Sequence, residues 1–424
     1  IKNIKLNYNV FTAGDFKSGP EPYTRDSMSE NDKIAWNAFA EPMWEKMTSM
    51  MESGRKLSKG TIQDYGDNAH VLFTENPEAA QVALNLGLVD KVVTREEIRN
   101  YMFEQFPNEE DDKYAFPDSI SIYDYLDTIE ADASKSSNKI AIVNIEGAIM
   151  TGEAAYGIAG SDTIVKNIQS ATKDEDIKAM VLRVNSPGGD VWASELITNA
   201  LEEFKNTGRP VVTSMGDVAA SGGVWVTTNS DEIWAEEDTL TGSIGVYGII
   251  PTMDGLYDWA GISVDGVSST KAGEWDEREA MPDYVKNMIQ SNIDNIYKKF
   301  VTKVAENRDM AYVDVLPIAG GRIWSGVKAL ELGLVDKIGD LEDALSSAAN
   351  MAEIEDYSVK TYRKELDPID IFLQEILENI DYQVKVDPNL KILLDTTSKY
   401  SKIISLEDEN IMAYCFECDA IDNL

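Results

Sequence analysis

Between residues 139 and 238 the chain alternates two apolar patterns. "KIAIVNIEG" (139–147), "IKAMVLRVNSP" (177–187) and "RPVVTSMGD" (209–217) are short, nearly continuous apolar runs, which predict buried strands. "EIWAEED" (232–238) predicts a short fourth strand. Between them, "DTIVKNIQSATKD" (162–174) and "WASELITNALEEFKN" (192–206) place apolar residues at every third or fourth position, which predicts helices. Strands and helices alternating at this spacing predict an α/β fold with a mainly parallel sheet. Sites in such folds gather beyond the carboxyl ends of the strands.

One pattern occurs twice. "ALNLGLVDKV" at 83–92 matches "ALELGLVDKI" at 329–338, with eight of ten positions identical. "WEKM" (44–47) resembles "YKKF" (297–300), each inside a long helical pattern, and "DFKSG" (15–19) aligns loosely with "STKAG" (269–273). A repeat of this length is a duplicated domain, not a solenoid. The reading divides the chain into 1–105, the C-terminal part of a truncated first copy; 106–137, an acidic connector; 138–350, a complete second copy; and 351–424, a tail with amphipathic helical stretches such as "IDIFLQEILENI".

Two glycine-bearing turns stand at strand ends. In "NSPGGD" (185–190), Pro187 fixes one backbone angle while Gly188 and Gly189 allow close approach. An ordinary strand-to-helix turn accounts for this stretch as well as a backbone N–H donor for an oxyanion does. In "AASGGVW" (219–225), Ser221 follows a strand and opens an apolar helical stretch. A hydroxyl there meets the positive end of a helix dipole; an N-cap serine is the alternative, but a cap needs no Gly-Gly after it and no matching glycine turn on the neighbouring strand. A third piece, "LTGSIGVYG" (240–248), sets Ser243 between glycines, as a β-turn also would.

If Ser221 is a nucleophile, it needs a base. The chain holds one histidine, His70, in "DYGDNAHVLF", with no other sign of a catalytic site around it. Lysine is then the main candidate. A free lysine has a pKa near 10.4, so a lysine base must lose roughly three units, about 4 kcal/mol, through a dry pocket without a carboxylate partner. Asp15 and Glu21 are the acidic residues nearest Lys17 along the chain, and a pairing with either would keep it charged.

Composition narrows the classes. The 424 residues carry 38 basic against 75 acidic side chains, net −37, and such a surface repels phosphate backbones, so a nucleic-acid partner is excluded. Cys415 and Cys418 form a lone C-x-x-C without a second ligand pair, so no zinc site is read, and no metal or cofactor is called for. There is no run of 18 apolar residues and no signal peptide. The chain begins at Ile1 in what reads as the middle of a domain, so a preceding part, with room for a membrane anchor, is expected.

Together "RVNSPGGDVWASE", "MGDVAASGGVWVTT" and "TLTGSIGVYG" resemble the signal peptide peptidase (protease IV) family in order and spacing. "FKSGPEPYTRDSMS" (16–29) is similar to the lysine-bearing segment of the family's long, duplicated form, and "YCFEC" is similar to that form's C-terminus. The resemblance covers nearly the whole chain. It implies a ClpP/crotonase-like fold and a Ser/Lys-dyad endopeptidase that cuts apolar segments such as signal-peptide remnants. Residue by residue, it implies Ser221 as nucleophile, Lys17 as general base, Ser243 as the serine orienting the amine, and Gly188, Gly189 and Gly222 as the oxyanion hole. It further implies a homo-oligomer, a tetramer for a duplicated chain, at the bacterial inner membrane facing the periplasm.

A second lysine, Lys271, stands where half-length relatives carry their base. Lys17 is preferred because its segment resembles the duplicated form, and because Glu274, Asp276 and Glu277 stand close to Lys271 in sequence. An inactive member serving as a scaffold, and a crotonase-type acyl-CoA enzyme, are the alternative readings. The acidic surface and the serine turn argue against the second.

Overall fold

The computed structural model describes residues 5–107, 119–122, 125, 128, 136–154, 157–362 and 412–414. The helical stretch at 369–380, most of the 106–137 connector, and Cys415 and Cys418 lie outside them. Two compact units form: Ile1–Phe39 together with Ser134–Leu424, and Ala40–Ala133.

Described strands of the first unit are β1 (Asn7–Ala13), β2 (Lys139–Glu146), β3 (Ala148–Met150), β4 (Ile158–Gly160), β5 (Ile177–Ser186), β6 (Gly188–Asp190) and β7 (Val211–Ala220). They continue as β8 (Glu232–Ala235), β9 (Leu240–Gly242), β10 (Val246–Thr252), β11 (Ile323–Ser325), β12 (Lys337–Ile338), β13 (Ser358–Tyr362) and β14 (Met412–Tyr414). The main sheet runs β11-β9-β7-β5-β2-β13, with β8 on β7 and β12 on β8. All its pairs are parallel except β11 on β9. The architecture is therefore mixed α/β, as the alternating patterns predict.

The continuous apolar runs of β2, β5 and β7 have a packing cause: both faces of the sheet are covered. Ala141, Val143, Met180 and Leu182 pack with Ile164 and Ile168 of helix Ser161–Lys173 and Ile197 and Leu201 of helix Val191–Lys205. Ile140, Ile142, Ala179 and Val181 face the other way, onto Ala344, Leu345 and Ala348 of helix Leu341–Met351.

A second sheet, β1-β10-β14-β6-β3-β4, is not legible in the apolar patterning. In it β1 lies antiparallel along β10, from Asn7 opposite Thr252 to Ala13 opposite Val246. This pairing joins the beginning of the chain to the unit that carries Ser221.

The edge strand β13 is tied down by one carboxylate. Asp174 accepts from Lys360 Nζ at 2.7 Å and from the Tyr362 hydroxyl at 3.0 Å. The Lys360 bond chiefly, with help from the Asp176 amide and Tyr362, holds the Asp174 carboxyl down at about 2. A depressed carboxyl stabilises the fold above its unfolded pKa, near 3.9, and that stability is lost as pH falls toward about 2. Asp174→Asn should therefore flatten the dependence of Tm on pH between about 4 and about 2. A mutant curve parallel to the wild type across that window would count against the assignment.

In the second unit, Arg55 ends helix Glu30–Arg55 and donates from Nε to Gly87 O at 3.0 Å and from both Nη atoms to Asp90 at 2.9 Å. The first unit contains the same clasp. Arg308, at the C-cap of helix Asp283–Asn307, donates from Nε to Gly333 O at 2.8 Å and from its Nη atoms to Asp336. The glycines share φ, 75° and 74°. Both clasps fall on the duplicated "LGLVDK" stretch.

Candidate active site

β7 ends at Ala220 and helix Gly222–Thr227 begins two residues later, so the chain reverses direction on Ser221. Ser221 pays with a positive φ of 55°, a conformation that L-residues adopt only when their surroundings enforce it. Its N–H donates to Gly242 O at 2.9 Å, while its carbonyl accepts from Val224 at 2.9 Å and Trp225 at 3.0 Å. The side chain makes no capping bond and is fully buried, so the N-cap reading does not describe it.

The two glycine turns touch. A Cβ at Gly223 would stand 2.7 Å from Ser186 O, so only glycine lets the helix after Ser221 close on the NSPGG turn. Ser186 pins that turn from inside, donating from Oγ to Gly147 O at 2.7 Å and accepting from the Gly188 N–H at 3.1 Å. Gly189 presses on the neighbouring strand, where a Cβ would lie 1.9 Å from Ile149 O. Gly222 supplies the first N–H of its helix, a donor with no acceptor inside the helix.

Lys17 follows β1 and reaches this place from the other end of the chain. Its Nζ lies 2.8 Å from Ser221 Oγ, 3.0 Å from Ser243 Oγ and 3.1 Å from Ser243 O. All three residues are buried, Lys17 at 7% exposure. Nζ also sits 6.0 Å from the centroid of the buried Tyr247 ring. Of the acidic neighbours in sequence, Glu21 accepts from the Ser29 N–H at 2.8 Å and lies 3.9 Å from Arg25.

Lys271 is elsewhere. It is exposed in a short turn, with Nζ 5.0 Å from the centroid of the Tyr284 ring. Asp276, one of the carboxylates near it in sequence, pairs with Arg278, which together with the Arg278 N–H holds that carboxyl at about 2. His70 is exposed on helix Thr61–Glu75.

Sequence reasoning missed the clamp that seats Lys17. Gly320 O accepts from the Phe16 N–H at 2.8 Å, Gly321 donates to Ile244 O at 2.9 Å, and Arg322 O accepts from the Ser243 N–H at 2.7 Å. A Cβ on Gly321 would lie 2.6 Å from Lys17 Cα. Thus "GGR" (320–322) stitches the Lys17 loop to the Ser243 loop. The only signal in the sequence was a Gly-Gly pair after a helix.

Among the described residues no cluster of His, Cys, Asp and Glu could hold a metal ion, and no helix is long and apolar enough to cross a membrane. A serine buried on a strained strand-to-helix turn, beside a buried amine and two glycine turns, is an arrangement chemically able to carry acyl transfer on a serine hydroxyl. The comparisons with known proteins say which class this is. Residues 203–355 match the model of peptidase family S49. The chain is 32% identical to Protease 4 of Salmonella typhi over 99% of its own length and 68% of that protein's. It is 27% identical to the chloroplastic serine protease SPPA of Arabidopsis thaliana over 93% of its length and 58% of that protein's. A putative signal peptide peptidase SppA of Enterococcus faecium is 34% identical over 56% of the chain and 70% of that protein. The chain thus belongs to the S49 family of protease 4 and SppA, and it is a serine protease. Its mixed α/β architecture is consistent with the ClpP-like fold of an S49 peptidase.

Proposed function

We propose that Ser221 and Lys17 form a Ser/Lys dyad in which Lys17 takes the Ser221 proton. The observation that carries the reading is the 2.8 Å separation of Nζ and Oγ in a buried site. A neutral Lys17 amine directs two N–H bonds to Ser243 O and Ser243 Oγ and offers its lone pair to the Ser221 hydroxyl. A dry pocket is the setting a lysine base requires. Oγ then attacks the substrate carbonyl carbon while its proton passes to Nζ. The ammonium returns that proton to the leaving amine, and the neutral amine next activates a water that hydrolyses the acyl-enzyme.

The amides of Gly188, Gly189 and Gly222 are the proposed oxyanion donors. The Gly188 N–H donates to Ser186 Oγ, so taking up an oxyanion there would exchange that bond. Apolar peptide segments such as signal-peptide remnants are the proposed substrates, on the strength of the family and of the relative named as a signal peptide peptidase. The twin arginine clasps, Arg55–Gly87–Asp90 and Arg308–Gly333–Asp336, support reading residues 1–105 as a truncated first copy of the 138–350 domain. A superposition of 44–92 on 297–338 that left Arg55 away from Arg308 would oppose it.

A fluorophosphonate probe tests the dyad. The expected outcome is one adduct, mapped by mass spectrometry to Ser221 and missing in Ser221→Ala, together with cleavage of an apolar reporter peptide. An unlabelled, natively folded chain that cleaves no peptide would instead identify an inactive scaffold.

A further inference from the structure

The Gly320–Arg322 clamp works through main-chain atoms, and the Arg322 side chain adds a second link between the same two loops. Its Cζ lies 5.1 Å from the centroid of the Phe16 ring and 4.4 Å from that of the Trp324 ring. Phe16 directly precedes Lys17. Trp324 is buried and pinned, donating from Nε1 to Ile318 O at 2.9 Å. Its ring closes on the residue before Ser243, where a Cβ on Gly242 would stand 2.8 Å from Trp324 Cδ1. One guanidinium thus joins the neighbour of Lys17 to the neighbour of Ser243, the residue whose two oxygens meet Lys17 Nζ.

This cation is held differently from others in the chain. Arg55, Arg183, Arg278 and Arg308 each pair with a carboxylate. Among the described residues Arg322 makes no ion pair, and its buried Nε has no hydrogen-bond partner. Acidic side chains outnumber basic ones by 75 to 38, so carboxylates are the commonest partners a guanidinium could meet here. Aromatic faces hold a guanidinium without bringing a negative charge. A carboxylate in their place would stand beside the Lys17 loop and favour the ammonium over the neutral amine that a base needs.

Resting on the dyad reading, we infer that Arg322 is a positioning residue: its guanidinium, held by Phe16 and Trp324, fixes the Lys17 loop against the Ser243 loop without a carboxylate beside the amine. It acts through Lys17 and not on the substrate. Its loss is felt in the rate because proton transfer requires Nζ within hydrogen-bond reach of Ser221 Oγ, and a displacement of about 1 Å is costly.

The test uses Arg322→Met, which keeps the stem and removes the cation, Phe16→Leu, which removes one ring, and Arg322→Lys, which keeps a cation. Lysines rest over rings elsewhere in this chain, as Lys337 does over Trp234 at 4.9 Å. Against an apolar reporter peptide, kcat should fall about tenfold in Arg322→Met and in Phe16→Leu, with KM changed by less than about twofold. The double variant should be no slower than the slower single one, since both changes break one contact. Arg322→Lys should recover kcat to within about threefold of the wild type. In the Lys17→Met background, adding Arg322→Met should change the rate of fluorophosphonate labelling at Ser221 by less than about twofold. Native circular dichroism qualifies each variant, and Phe16→Leu with Arg322→Lys decides if Arg322→Met does not fold. An unchanged kcat, a rise in KM alone, or a further tenfold loss on top of Lys17→Met would overturn the inference and leave the dyad standing. Full activity in Lys17→Met would overturn the dyad, and the inference with it.

Discussion

Lys17→Met should leave a folded protein that cleaves an apolar reporter about 10²–10⁴-fold more slowly, the usual worth of a positioned general base. Methionine keeps most of the stem that fills this buried site and discards the amine that meets Ser221 Oγ at 2.8 Å. The paired control is Lys271→Ala. That lysine is exposed on a turn, and its loss should change kcat/KM by less than about twofold. Probe labelling at Ser221 should follow the same order, because the probe also needs the hydroxyl deprotonated. If Lys17→Met kept more than a tenth of the activity, or Lys271→Ala lost most of it, the dyad would be assigned to the wrong lysine.

Gly189→Ala should damage stability and activity together. The new methyl would stand 1.9 Å from Ile149 O and 2.7 Å from Ile149 C, and both obstacles are backbone of a paired strand that cannot rotate away. Overpacking of this kind costs about 1–3 kcal/mol, which in a domain of this size lowers Tm by several degrees. The displaced turn should also move the Gly188 and Gly189 amides, with a loss of about 10–100-fold in kcat, somewhat less than deletion of an oxyanion donor elsewhere. Gly208→Ala separates the causes. Gly208 also has a positive φ, but nothing lies within 4 Å of its Cβ position, so that variant reports backbone strain alone. Were the two variants equally stable and equally active, the NSPGG turn would have no tight register to lose.

Much of the site can be read in short windows of sequence. The order of the NSPGG, ASGG and TGSIG turns carries the resemblance to the family, and a single histidine in an uninformative context turns attention to lysine. The apolar runs of β2, β5 and β7 are visible because a parallel sheet covered on both faces needs unbroken apolar residues, and that demand is local. The duplicated "LGLVDK" stretch is visible for a similar reason: each copy closes its own arginine clasp with a helix end only 25 to 35 residues earlier in the chain.

The identity of the amine beside Ser221 is another kind of fact. Lys17 and Lys271 both sit in a lysine-small-glycine stretch; the family resemblance and the carboxylates near Lys271 favour Lys17, but neither places its amine in the fold. What brings Lys17 to Ser221 is the pairing of β1 with β10, more than 200 residues apart in sequence, and the Gly320–Arg322 clamp. Strand pairing uses main-chain groups that every residue carries, so the choice of partner strand leaves no mark in composition or period. The same holds for β14, whose three residues give no hint in sequence that they lie between the strands framing the site. Local chemistry named the serine, and long-range main-chain pairing selected its lysine.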